Sequence, residues 1–229
     1  MMQQPGIEAT ATPPTASVIT AGKRWSTMQP FRDALLVLLV SPLLLPLAIA
    51  TGIGVGLRLG RPILFRQERL GLNGAPFHIA KFRSMSNARD ASGALLPDSQ
   101  RLDAFGRAIR RFRVDELPAF FQILSGRIAL VGPRPLPASS IDIHPLGHLR
   151  LAVKPGFTGL AQISGNTLLD TDEKFAIDCL YAANQSLAGD VRILFMTVVT
   201  ILRGERRDEL VIAEARAKFP DFFGGDEPR

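Results

Sequence analysis

Between Ala34 and Leu57 the chain carries 24 consecutive uncharged residues. A helix needs about 20 apolar residues to span a bilayer. This run, however, is interrupted by Ser41-Pro42, by Pro46 and by Gly52, Gly54 and Gly56. Proline inside a helix removes a backbone hydrogen bond at a cost of roughly 3 kcal/mol, and in hydrocarbon the freed carbonyl must find a partner within the protein. Ser41 can donate to a carbonyl one turn back, which satisfies that group and bends the helix. Lys23, Arg24 and Arg32 precede the run, and Arg58, Arg61, Arg66 and Arg69 follow it. Lys and Arg beside a membrane segment favour the cytoplasmic side, so both ends want the same side, against an anionic leaflet. The pattern predicts a re-entrant helix-break-helix over residues 28–60, bent at Ser41 and Pro42. A straight single-pass anchor is the competing reading. A secretory signal is another, with Lys23-Arg24 as its basic start and Ala48-Ile49-Ala50 as a small-residue cleavage site; the run continues past Ala50 and holds prolines mid-segment, which argues against it.

Beyond this segment the pattern shortens. Ile63–Arg69 and Pro76–Arg83 read as strands, and Gly71-Leu72-Asn73-Gly74 between them carries an Asn-Gly hairpin signal. Residues 87–100 are a polar loop. Arg101–Arg113 reads as a helix, with Leu102, Phe105, Ile109 and Phe112 on one face and Arg107, Arg110, Arg111 and Arg113 on the rest. Such a helix is either a solvated basic face or an amphipathic element at the membrane interface. Val114–Leu124 starts a new helix, with Asp115 suited to its N-cap and Pro118 tolerated in its first turn. Ile128–Val131 is a short apolar strand. Helices follow over Glu173–Ala183 and Asp190–Arg203, the second too short in its uncharged core to span, and a weaker one over Glu209–Phe219. The fold class is therefore α+β and helix-rich: a disordered tail over 1–27, the membrane element over 28–60, a catalytic domain over 61–204 and a charged C-terminal tail over 205–229.

Composition sharpens the choice of partners. The 229 residues carry a formal charge of +6, which calls for anionic partners such as headgroups or phosphates. Nucleic acid is the weakest of these, because it has no use for the apolar run. The single cysteine, Cys179, excludes an internal disulfide and reads as core.

Asp115-Glu116 follows the basic helix and opens the next one. Acids there also suit an ordinary helix N-terminus, but an aspartate can attack phosphorus and form an acyl phosphate, and nearby cations would offset charge on a transferring group. Gly132-Pro133-Arg134-Pro135 stiffens the backbone on both sides of one arginine, which suits a two-pronged phosphate grip. His144 and His148 are four apart, but Pro145 and Gly147 between them disfavour a metal-binding helix. P-loop, GxSxG and CxxC motifs are absent.

The ordered set Ser41-Pro42, Lys81-Phe82-Arg83-Ser84-Met85, Asp115-Glu116-Leu117-Pro118, Val131-Gly132-Pro133-Arg134-Pro135 and Lys154-Pro155-Gly156-Phe157-Thr158-Gly159 resembles the bacterial sugar transferases, that is, the small monotopic polyprenyl-phosphate phosphoglycosyl transferases. The likeness covers residues 28 to 204. It implies transfer of a phosphosugar from a UDP-sugar to undecaprenyl phosphate in two steps, through a phosphosugar carried on the aspartate, with release of UMP. Such a step initiates surface glycan or exopolysaccharide synthesis. The resemblance places Asp115 and Glu116 as the catalytic pair, Mg2+ beside Asp115, and Lys81, Arg110, Arg134 and Asp178 toward the substrate phosphates. It further implies a re-entrant element at Ser41 and Pro42, the bacterial inner membrane with the catalytic domain on its cytoplasmic face, membrane lipids as partners, no nucleic acid, and room for a homodimer. Leu160 stands where many members have tryptophan, Ser164-Gly165-Asn166 where many have Asn-Gly-Arg, and Arg83 where lysine is common. The rival reading is a non-catalytic, membrane-bound lipid-phosphate binder or assembly protein using the same arginines.

Overall fold

The computed structural model describes residues 28 to 223; the tail expected over residues 1–27 lies outside the described residues, as do residues 224–229. The apolar run forms one helix, α1 (Gln29–Leu59), with Pro42 and Pro46 inside it. Its 31 residues reach roughly 46 Å at about 1.5 Å per residue. The break expected at Ser41-Pro42 does not end the helix. Ser41 Oγ donates to the Val37 carbonyl at 2.6 Å, one turn back, and Thr51 does the same to Leu47 at 2.8 Å. The glycines expected as interruptions are packing sites instead: a Cβ on Gly52 would lie 3.3 Å from the Phe82 ring, and one on Gly54 would lie 3.2 Å from Phe105. Among the described residues α1 is the one helix long and apolar enough to cross a bilayer.

α1 is fastened at both ends to the same body. Near its start Asp33, 1% exposed, accepts from the Leu130 backbone N–H at 2.9 Å and pairs with Arg32. Arg32 reaches Asp190 at 2.7 Å, and the Tyr181 hydroxyl donates to Asp190 at 2.8 Å. At its end the buried Arg83 donates to the carbonyls of Leu59, Gly60 and Arg61, a cation set against the negative end of the helix dipole. Between these anchors a stripe of Gln29, Asp33, Val37, Ala48, Thr51 and Val55 is buried, while Leu39, Leu43 and Leu57 stand out at 73%, 75% and 83% exposure.

The hairpin forms as its turn chemistry predicts. β1 (Leu64–Leu70) and β2 (Pro76–Phe82) pair antiparallel, Leu64 opposite Phe82 and Leu70 opposite Pro76. Asn73 and Gly74 take the left-handed conformation the turn needs, at φ 55° and 78°. The basic helix expected over Arg101–Arg113 divides into α2 (Asp98–Arg101) and α3 (Ala104–Arg111). Asp103 restarts it by accepting from the Gly106 N–H at 2.7 Å, a cap that competes with continuing the helix. Ile109 is buried beneath α3, whereas Phe112 stays 73% exposed among the arginines.

Asp115 does not cap the next helix. Arg113 takes a left-handed conformation at φ 53°, Val114–Glu116 form a 3₁₀ turn, and α4 (Leu117–Gln122) begins beyond it with Pro118 in its first turn. β3 (Ala129–Val131), the short apolar strand expected over Ile128–Val131, pairs in parallel with β4 (Gly156–Thr158), which lies in a stretch whose glycines and proline suggest a loop. Between them lies the short α5 (Ala138–Asp142). After α6 (Leu160–Ile163), α7 (Thr171–Ala183) starts on a capping box in which Asp170 and Glu173 satisfy each other's backbone N–H. α8 (Leu187–Arg203) starts at Ser186, which accepts from the Gly189 N–H. The segment after 204, expected as a charged tail, is built into the body: α9 (Glu209–Lys218) sends Ile212 and Ala215, with Phe219 just beyond, into a core with Phe175, Ile177 and Leu180 of α7. Arg207 and Arg216 close on the buried Glu173 at 2.7 and 3.1 Å.

Candidate active site

β2 and α4 are joined through one side chain. Gln122 accepts from the Ala80 N–H at 2.7 Å and donates to the His78 carbonyl at 2.9 Å, completing the free edge of β2 as a neighbouring strand would. This sets the turn before α4 across from Lys81, whose Nζ lies 2.5 Å from Glu116 Oε1. The opposite wall comes from the two glycine- and proline-rich motifs. Gly132 N–H donates to the Thr158 carbonyl and Gly156 N–H to the Pro133 carbonyl, each at 2.9 Å. The backbones are so close that a Cβ on Gly132 would lie 2.3 Å from the Lys154 carbonyl oxygen, and one on Gly156 2.0 Å from Gly132 N. Arg134 projects from this junction and meets Glu116 at 3.6 Å.

A cleft opens here, lined by Arg69, Lys81, Glu116, Arg134, Pro135 and Phe157 among others. Arg113 approaches the second Glu116 oxygen at 3.8 Å. Burial alone would raise the Glu116 pKa, but Lys81, Arg134 and Arg113 outweigh it and hold the carboxyl below the usual range. Its neighbour Asp115 goes the other way: burial and the adjacent Glu116 charge push it up, against the pull of Lys81 and Arg110. The pair therefore splits into one acid committed to cations and one left more basic. Arg69, in the same cavity, is lowered by burial and by Arg134. Several cations around a single committed carboxylate leave positive charge that an anionic ligand would neutralise.

The structure thus brings together Lys81, Glu116 and Arg134. Arg110 stands apart, its Nε donating to Ser84 Oγ at 2.7 Å, and acts on Asp115 through its charge. Asp178 faces no opening. It is 5% exposed and taken by Arg150 at 3.1 and 2.5 Å; Arg150 also donates to the Arg134 carbonyl at 2.6 Å. The acid expected toward phosphate thus holds the arginine loop from behind. Arg113 is one of the arginines whose closeness in sequence to Asp115 points to this site; nothing in the spacing of Arg69 and Arg150 singles them out. As for a metal, no group of three or more His, Cys, Asp or Glu side chains converges among the described residues, and Glu116 is occupied by Lys81. Asp115 fits the mode in which Mg2+ takes one or two carboxylates and completes its shell with substrate phosphates and water. His144 stacks on Phe175 at 3.8 Å and bonds Asp172, so it is a packed side chain.

The acid pair, with cations around Glu116, lies in the same body as a helix long and apolar enough to cross a bilayer. Residues 24–204 match the family model described as bacterial sugar transferase, and the chain belongs to that family. It is 43% identical over 152 residues to the uncharacterized sugar transferase EpsL of Bacillus subtilis (strain 168), covering 66% of this chain and 75% of the relative. It is 37% identical over 181 residues to the UDP-N-acetylgalactosamine-undecaprenyl-phosphate N-acetylgalactosaminephosphotransferase of Aeromonas hydrophila, covering 75% of this chain and 43% of the relative. It is 35% identical over 183 residues to the UDP-glucose:undecaprenyl-phosphate glucose-1-phosphate transferase of Caulobacter vibrioides (strain ATCC 19089 / CIP 103742 / CB 15), covering 74% and 68%. The chain therefore spans less than half of the Aeromonas relative.

Proposed function

We propose that this protein transfers a sugar 1-phosphate from a UDP-sugar to undecaprenyl phosphate, and so initiates a surface glycan or exopolysaccharide. The observation that carries this reading is the split acid pair: Glu116 locked by Lys81 and Arg134, and Asp115 beside it with no lysine or arginine in ion-pair contact among the described residues. In the first step an Asp115 oxygen attacks the β-phosphorus, the bond to the bridging oxygen breaks, and UMP leaves with that oxygen. In the second the acceptor phosphate oxygen attacks the same phosphorus and releases Asp115 as the free carboxylate. Lys81, Arg134 and Arg69 hold the diphosphate, and Arg110 adds positive charge on the Asp115 side. Mg2+, when bound at Asp115, supplies neutralising charge to the phosphate oxygens. The covalent intermediate lets two anionic substrates use one basic cavity in turn, avoiding their mutual repulsion.

The re-entrant placement rests on the two-ended docking of α1. A helix tied to one body through Asp33 at its start and Arg83 at its end cannot leave one end on the far side of a bilayer without drawing that body in. The basic residues at both ends favour the cytoplasmic face of the inner membrane. An apolar groove lined by Ala48, Ile49, Gly52, Phe82, Pro118 and Phe121 begins three residues after Asp115 and suits the acceptor's hydrocarbon. The second reading, a non-catalytic lipid-phosphate binder, would use the cations without needing Asp115.

The test is UMP release by the purified protein from UDP-glucose, UDP-galactose and their N-acetylated counterparts, before and after undecaprenyl phosphate is added. A burst without acceptor, with phosphosugar trapped on Asp115, supports the reading. Background release from every donor favours the binder. Topology is read by labelling cysteines introduced near residues 28 and 60, Cys179 being buried; opposite sides would remove the re-entrant placement.

A further inference from the structure

A second cavity shares Glu116 and Phe157 with the basic one, but its other walls differ. Where the first presents Arg69, Lys81 and Arg134, this one presents Gln162, Asn166, Thr197 and Thr200, with Arg113 and Glu205. Its wall sets hydrogen-bonding side chains beside the Arg113–Glu205 pair, 3.9 Å apart. The two cavities meet at Glu116, the chain neighbour of Asp115, so a ligand whose phosphates occupy the first would place the group beyond them in the second.

Glu205 is the organiser of this wall. Its Oε1 accepts from Asn166 Nδ2 at 2.5 Å, and its Oε2 accepts from the Thr167 N–H at 3.1 Å and from the Thr167 hydroxyl. With one of its two N–H donors committed to Glu205, Asn166 keeps its carbonyl oxygen as an acceptor. Gln162 is in a similar state: its Nε2 donates to the Phe157 carbonyl at 3.3 Å, while its buried Oε1 has no donor among the described residues. Two amide oxygens on the wall of the cavity that Glu116 shares call for a ligand that brings O–H or N–H donors. A polyprenyl chain has none; a hexose ring or its acetamido group has several. Fixed acceptors also discriminate, because a donor lacking the matching group leaves them unpaired.

We infer that Asn166, positioned by Glu205, is a specificity-determining contact for the sugar of the donor, accepting a hydroxyl or acetamido N–H while the diphosphate lies in the basic cavity. This rests on the transferase reading and deepens it. The test compares kcat/KM for UMP release across the four UDP-sugars named above, in the wild-type chain and in Asn166→Ala, Glu205→Ala and Glu205→Gln. The ratio between the best and second-best donor is expected to fall about tenfold in the two alanine variants. Glu205→Gln, whose amide oxygen still accepts from Asn166, is expected to keep most of the ratio. Equal loss on every donor, an unchanged ratio, or a wild type that turns over all four alike would overturn the assignment. Those outcomes differ from the failure of the transferase reading itself, in which no donor yields UMP. Asn166→Ala carries the test alone if Glu205→Ala fails to fold.

Discussion

Arg134 stands between two acid–base centres that share chemistry and differ in surroundings. Its backbone carbonyl is held by Arg150, which is paired with Asp178; those two side chains are 2% and 6% exposed. Its side chain reaches Glu116, where Lys81 and Arg113 also converge, and Arg134 and Arg113 are 42% and 48% exposed. The first centre matches one cation with one anion, so nothing remains for a ligand and the pair acts as scaffold. The second sets several cations against one carboxylate beside an opening, so it retains charge for an incoming phosphate. Balance and closure make a strut; imbalance and access make a site.

The comparison is broken most directly at Asp115. Asp115→Asn is expected to lower UMP release at least about 1,000-fold, roughly 4 kcal/mol of barrier, with the melting temperature almost unchanged. At the closed centre the order reverses. Asp178→Asn leaves Arg150 charged and buried, and should cost about 3–5 kcal/mol of stability, read by thermal unfolding in detergent. An Asp178→Asn protein of normal melting temperature but no activity would place Asp178 on the substrate and erase the distinction. Arg134→Ala should cost about 100-fold in kcat/KM, roughly 2.7 kcal/mol, chiefly through KM for the donor. Because its side chain is half exposed, stability should move by less than about 0.5 kcal/mol.

A third ion-pair centre sharpens the contrast. Hydrogen bonds from Arg207, with help from Arg216, hold the Glu173 carboxyl below the usual range despite its burial. A depressed folded pKa means that this stability is present above the ordinary glutamate value, about 4.3, and is lost as pH falls through the folded value. Arg207→Ala should lower stability at neutral pH and flatten the acid limb of the stability profile, read by thermal unfolding across pH. The smallest effect lies in the pH dependence of activity. Burial and Glu116 raise Asp115, so turnover should fall on the acid side at a pH above the ordinary aspartate value. In Glu116→Gln the neighbouring charge is gone, and that limb should shift to lower pH by less than about one unit.

What could be read from the residues follows the range of the interactions. The hairpin was legible because Asn73-Gly74 encodes its turn locally. The helices over 171–183 and 187–203 were legible through their periodicity. The β3–β4 pair was not: three-residue strands 27 positions apart in sequence have no local signature, and only the contact between Gly132 and Gly156 explains both glycines. Asp115 as an N-cap failed because the left-handed Arg113 opens a 3₁₀ turn first. Lys81, Glu116 and Arg134 could be nominated by motif, whereas Arg150, Arg69 and Glu205 earn their places only through partners 16 to 65 positions away. The tail expected after 204 was misread because its charge masks Ile212, Ala215 and Phe219, which enter the core once α9 forms.

The double fastening of α1 also sets the enzyme's draught. A flexible tether would let a catalytic head bob independently of its anchor; a helix clamped at Asp33 and Arg83 makes anchor and acid one rigid hull. Vesicles of shorter or longer acyl chains would then lift or sink Asp115 relative to the headgroups as a unit, and turnover would follow bilayer thickness, with an optimum where waterline and carboxylate coincide.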